Sequence, residues 1–119
     1  MNTTPPTDED RWIYKAKLIR VVDGDTVVLA ISVGLDWECK HRYCRLLGMN
    51  APEVVGSEKA AGNAATEHLR SLLSQADPLL IRTEMDEVGS FRRLLVELWD
   101  GDACINQRMI GDGFAEPRD

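Results

Sequence analysis

No apolar run in this chain approaches the roughly 20 residues that a membrane helix needs, so the sequence offers no helical membrane span. Its start has no basic cluster followed by an apolar stretch, and no secretory signal is read there. The expectation is a soluble, cytoplasmic protein. Cysteine is scarce: Cys39, Cys44 and Cys104 form an odd set without metal-ligand spacing. In a reducing compartment they serve as small hydrophobes. If residues 37–47 form one strand, Cys39 and Cys44 fall on opposite faces, which argues against a disulfide between them. The two histidines, His41 and His68, lack partners at ligand spacing and are expected on a strand surface and a helix face. Positive charge is short as well, with 14 Lys and Arg against 20 Asp and Glu and a net charge of −6. That is the wrong sign for gripping nucleic acid by bulk electrostatics. Contact with a polyanion would have to rest on a few arginines and a metal ion.

What is present supports one domain. The 119 residues are 44% hydrophobic, enough for a core and too few for a second domain. Residues 1–11, rich in Thr, Pro, Asp and Glu, read as a disordered leader, with the domain over 12–119. Strands are predicted over 14–22 and 26–33, with Asp23-Gly24 making a hairpin or bulged corner. Gly34-Leu35-Asp36 turns the chain into an alternating strand over 37–47. Ser57 is a candidate N-cap for a helix over 58–75, where Ala61, Ala64, Ala65, Leu69, Leu72 and Leu73 recur at helical spacing. Gly62 inside it costs about 1 kcal/mol against Ala unless a close approach requires it. Strands over 78–84 and 91–99 and a helix over 103–110 complete the order, with no internal repeat. Three strands, a helix, two strands and a helix predict an α+β domain. Its centre is a five-stranded OB-fold β-barrel, with one main helix and a short C-terminal one.

Chemistry concentrates in two stretches, Val22-Asp23-Gly24-Asp25-Thr26-Val27 and Arg45-Leu46-Leu47-Gly48-Met49-Asn50-Ala51-Pro52-Glu53. They supply oxygen donors of the kind calcium takes and a guanidinium that forks onto phosphate. They also supply a glutamate able to take a proton from water. Arg45 sits in an apolar-flanked strand and needs an anionic partner, either a structural carboxylate or a phosphate. Later, Phe91-Arg92-Arg93-Leu94 offers a second arginine. Leu94, Val96 and Leu98 form the apolar face of that strand and Arg92 shares their parity, so Arg93 is the candidate.

Asp-Gly-Asp-Thr, then Arg-Leu-x-Gly-x-Asn-x-Pro-Glu, then an aromatic-x-Arg strand: in this order the blocks resemble the staphylococcal (thermonuclease-type) nuclease domain, over residues 13–115. The resemblance implies the same OB-type barrel. It implies Asp25, Asn50 and the Ala51 carbonyl as ligands of Ca²⁺, and Glu53 as the general base. Arg45 and Arg93 would bind substrate and neutralise charge building on the phosphoryl oxygens. Phe91 can stack on a base or pack in the core. The implied activity is calcium-dependent hydrolysis of DNA or RNA phosphodiesters, leaving 3′-phosphates. Asn50 departs from the aspartate of the family pattern and so lowers the ligand charge for calcium. The stretch from Asp25 to Arg45 is longer than in the best-known member, which implies an extended hairpin. The segment after the last strand is shorter, which implies lower intrinsic stability and an open C-terminal side covered by a second copy, a partner or metal. The rival reading is a non-catalytic barrel binding nucleic acid or a protein partner; the acidic balance favours the protein partner, one with a basic surface.

Overall fold

Two long hairpins and one parallel contact close the barrel. In this computed structural model the described residues are 5, 7, 12–88 and 91–118, of which 86–88 and 91–93 are described by their backbone alone. The expected leader over 1–11 therefore lies almost wholly outside them. Strands β1 (Ile13–Asp23), β2 (Thr26–Gly34) and β3 (Trp37–Leu46) form an antiparallel meander. After the two-residue β4 (Met49–Asn50) and a 3₁₀ turn at Gly56–Glu58 comes α1 (Lys59–Ser74). Then follow β5 (Leu79–Val88), β6 (Phe91–Asp100), β7 (Ala103–Cys104), α2 (Ile105–Gly111) and β8 (Glu116–Pro117). The sheet order is β3-β2-β1-β5-β6-β7, and β3 also pairs with β6. That last pairing is parallel, Cys44–Leu46 against Leu94–Val96, and it shuts a five-stranded barrel. The α+β barrel expected from the order of elements is what the chain forms.

Alternation explains the inside. Val27, Leu29 and Ile31 of β2 meet Leu46, Ile81, Val96 and Leu98, all 4% exposed or less. The apolar stripe of α1, Ala65, Leu69 and Leu73, seals one end, and Ile105 and Met109 of α2 join the same core. Burying such side chains contributes roughly 1.5–3 kcal/mol each. Ala61 and Ala64, expected on the buried stripe, are exposed, while Gly62 and Thr66 are buried in their place. Ser57 does not cap α1: it lies in the 3₁₀ turn, and Glu58 precedes the helix without a side-chain cap bond.

The expected uniform alternation over 37–47 fails at one point. Leu29 faces Arg42 but Ile31 faces Cys39, so β3 carries a bulge, and His41 there has a φ of 56°. The extra residue flips parity. Cys39 and Cys44 therefore face Ile31 and Val27, both on the inward row of β2. They are free thiols as expected, but for another reason: four residues along β2 separate their partners, about 13 Å, beyond disulfide reach. The β2–β3 tip is exposed, with Leu35 93% and Trp37 73% accessible. Among the described residues, no helix is long and apolar enough to cross a membrane.

Candidate active site

The turn between β1 and β2 builds the first wall. Asp23 Oδ1 accepts a hydrogen bond from the Asp25 backbone N–H at 3.1 Å, an Asx-type turn that fixes where Asp25 emerges. The Asp25 carbonyl in turn accepts from Leu46 N–H at 2.8 Å, which ties the turn to the end of β3. Asp25 is 8% exposed. Its Oδ1 accepts from Thr26 Oγ1 at 3.2 Å and its Oδ2 from Ala51 N–H at 3.2 Å.

Arg45 binds the two stretches together. Thr26 and Arg45 are paired across β2 and β3. The guanidinium Nη1 lies 3.4 Å from Asp25 Oδ2, and Nη2 donates to Asn50 Oδ1 at 2.8 Å. The anionic partner that Arg45 was expected to need is thus Asp25 here. Asp23, behind this pair, has its carboxyl raised above the ordinary range, chiefly by burial and further by the neighbouring Asp25, although the Asp25 N–H and Thr26 pull it back down.

Glycines set the second wall. A Cβ on Gly62 would stand 2.1 Å from the Glu53 carbonyl oxygen and 2.8 Å from Val54 N. The helix backbone lies directly against the 53–54 segment, which is the close approach that justifies a mid-helix glycine. A Cβ on Gly24 would likewise meet Ala51 Cβ at 2.7 Å and Ala65 Cβ at 2.9 Å. Residues 51–54 are therefore gripped between the β1–β2 turn and α1. Glu53 emerges exposed at the lip. The resulting cleft, about 550 Å³, is lined by Asp25, Arg45, Asn50, Ala51 and Glu53 together with Glu58, Phe114 and Glu116.

Five of the predicted residues, Asp25, Arg45, Asn50, Ala51 and Glu53, come together in this cleft. Phe91 and Arg93 are placed by backbone alone: they pair with Val88 and Asp86, and their side chains lie outside the described residues. Three contributors escaped the sequence reading. Asn106, 1% exposed, accepts from Leu98 N–H at 2.9 Å and donates to the carbonyls of Leu47 at 2.8 Å and Val96 at 2.9 Å. It staples α2 to the strand end that carries Arg45. Phe114 reaches the cleft because β8 returns to pair with β4. His68, expected on a helix face without partners at ligand spacing, stacks on Phe114 at 4.1 Å and lies 2.7 Å from Asp112 Oδ2. That bond, with Arg108 nearby, holds the Asp112 carboxyl below its usual range. The only sequence signal for these contacts was a polar Asn106 inside an otherwise apolar helix stripe.

Glu53, Glu58 and Glu116 line the cleft, and the three residues expected as cation ligands, Asp25, Asn50 and Ala51, would supply one carboxylate, one amide oxygen and one backbone carbonyl in it. This oxygen-only set suits calcium or magnesium in kind. Its charge is low, and among the described residues no three His, Cys, Asp or Glu side chains gather to hold a metal ion.

No family model matches the chain. It is similar to the endonuclease YhcR of Bacillus subtilis (strain 168), with 26% identity over 120 residues. The match takes in 93% of this chain and 9% of that protein, so the chain spans under a tenth of the relative's length.

Proposed function

We propose that this domain is a nuclease that hydrolyses phosphodiester bonds of DNA or RNA with the help of calcium, in the thermonuclease manner. The observation that carries the reading is the joining of Asp25, Arg45 and Asn50 by one guanidinium, in a cleft whose lip bears Glu53. The similarity to a protein named as an endonuclease points the same way.

In this reading Asp25, Asn50 and the Ala51 carbonyl hold Ca²⁺. The ion, when bound, supplies Lewis-acid polarisation of a phosphate oxygen. Glu53, exposed to solvent, takes a proton from the attacking water. Arg45 gives up Asp25 Oδ2 and Asn50 Oδ1 when those oxygens take the ion, and turns its guanidinium to the phosphoryl oxygens. Arg93 supplies the second guanidinium. Water oxygen bonds to phosphorus, the bond to the 5′-oxygen breaks, and that oxygen leaves as a hydroxyl with a proton from solvent. The products are a 3′-phosphate and a 5′-hydroxyl.

Arg45 also supports a second reading. Its guanidinium already satisfies Asp25 Oδ2 and Asn50 Oδ1, the oxygens a cation would use. A barrel in which this is simply a structural ion pair would bind nucleic acid or a protein without cutting. Cleavage of single-stranded and duplex DNA and of RNA, in millimolar calcium or EDTA, separates the two. Calcium-dependent cutting that Glu53→Gln reduces by about two orders of magnitude or more supports the enzyme. A folded protein that cuts nothing supports the binding module.

A further inference from the structure

Positive charge is unevenly placed in this acidic chain. Residues 13–46 hold six Lys and Arg against four Asp and Glu, whereas the rest holds eight against sixteen. Two of those four acids, Asp23 and Asp25, belong to the cleft. The first three strands are thus the basic part of the molecule.

Register lines the cations up in one row. Thr26 faces Arg45; Val28 faces Tyr43 on one side and Arg20 on the other. Farther along β2, Ala30 faces Lys17 and Ser32 faces Lys15. All lie on the side of the sheet opposite Val27, Leu29 and Ile31, which enter the core. From Thr26 to Ser32 the row covers about 20 Å, room for about six stacked nucleotides at 3.4 Å each. Midway stands a finished platform. The Arg20 guanidinium hydrogen-bonds the Tyr43 hydroxyl and sits 5.5 Å from the ring centroid. Between them Val28 is 2% exposed although it points out of the barrel, while Tyr43 remains 56% exposed.

We infer that the outer face of β1–β2–β3 is a docking track for single-stranded nucleic acid, running from Arg45 at the cleft through Tyr43–Arg20 to Lys17 and Lys15. The inference rests on the nucleic-acid reading of the cleft. Tyr43 stacks one base, and the flanking cations meet successive phosphates of one backbone. A single row with one aromatic suits one strand; a duplex hides its base faces from such a ring. Glu38, opposite Ser32, faces the outer end of the track and limits it there.

Binding of a labelled single strand of about ten nucleotides, measured by fluorescence anisotropy in EDTA, tests the track without cleavage. Lys17→Glu should weaken binding about tenfold at low salt and cut the salt slope by about one. Tyr43→Leu should weaken it about fivefold. Arg70→Glu makes the same charge change on α1, where Arg70 is exposed and paired with Glu67; it should shift binding by less than about twofold. Lys15→Glu provides an independent second variant should Lys17→Glu melt early. Equal losses from Arg70→Glu and Lys17→Glu would mean bulk charge and overturn the track. So would wild-type binding by the Lys17, Lys15 and Tyr43 variants, or tighter binding of a duplex of the same length. Cleavage in calcium keeps the two ideas apart. If the wild type cuts and the track variants bind and cut equally well, the track falls and the cleft reading stands. If nothing is cut in calcium but the track variants still lose binding in EDTA, the track stands and the catalytic reading falls.

Discussion

The two ends of the β2–β3 hairpin behave differently. At the cleft end, Thr26 and Arg45 are paired, Asp25 and Leu46 are bonded across the turn, and α2 holds the adjoining Leu47 through Asn106. At the far end, Val33, Leu35 and Trp37 are exposed, and Gly34, Leu35 and Asp36 all have positive φ. Local sequence alone shapes the far end. The near end is set by contacts from α1, α2 and the 51–54 segment. Precision in this fold therefore comes from tertiary packing rather than from the strands themselves, which is where a site needs it.

The cysteines give the sharpest probe, because one sits at each end. Cys39 is exposed, whereas Cys44 is 1% exposed and burial pushes its thiol up to about 12. At about pH 8 roughly one Cys44 in ten thousand would be thiolate. Alkylation should therefore modify Cys39 at once and leave Cys44 untouched until the protein unfolds. Mass spectrometry of the alkylated native protein decides the matter. Comparable early labelling of both would show that the cleft end opens as readily as the tip.

Removing Asn106 should cost the most stability. Asn106→Leu keeps the branched shape but removes all three bonds. The Val96 carbonyl keeps a partner in Leu47 N–H at 2.8 Å, while Leu98 N–H and the Leu47 carbonyl lose the bonds Asn106 gave them. Two such buried groups should cost about 3–4 kcal/mol in all, read as a lower denaturation midpoint at unchanged slope. A change under about 1 kcal/mol would mean the staple is ornamental.

Gly62→Ala should come next and strike the cleft selectively. The helix gains about 1 kcal/mol from the alanine, but its Cβ would overlap the Glu53 carbonyl. Overpacking of this kind costs typically 1–3 kcal/mol. Because the overlap is with backbone at 2.1 Å, the cost falls at the upper end of that range, and the net destabilisation is expected near 1–2 kcal/mol, with Glu53 displaced. Gly62→Ala should then lose cleavage while Ala61→Gly, at an exposed site on the same helix, keeps it at a similar loss of stability. Equal activity in both variants would break the link between this glycine and the site.

These contrasts also mark how far the sequence could be read. Strand and helix periods carry the barrel, because Val27-x-Leu29-x-Ile31 and Leu69-x-x-x-Leu73 each fit one buried face. The cleft residues from Asp25 to Glu53 were legible because their types and order are chemically specific. The bulge at His41 was not, since alternation presumes a constant two-residue period and one inserted residue reverses it. Gly62 could be flagged as anomalous, yet its cause lies in the backbone of residues 53–54, a neighbour no local rule names. Asn106 and the His68–Phe114–Asp112 contacts join segments far apart in the chain, so only the fold reveals them.

The smallest effect belongs to the free end. Leu35 and Asp36, at φ of 58° and 63°, occupy the two positions of a tight hairpin turn where Asn-Gly is favoured. A branched side chain in the left-handed region costs about 1–2 kcal/mol, and at 93% exposure Leu35 recovers little of it by burial. Leu35→Asn should therefore stabilise the protein by about 0.5–1 kcal/mol. Thermal unfolding reads the gain as a rise of a few degrees for a domain of this size. Cleft activity should not change, because the tip and the site touch through the length of the hairpin only. A loss of stability would show that Leu35 makes a contact the isolated chain needs. A change in cleavage would show that the two ends of the hairpin are coupled after all.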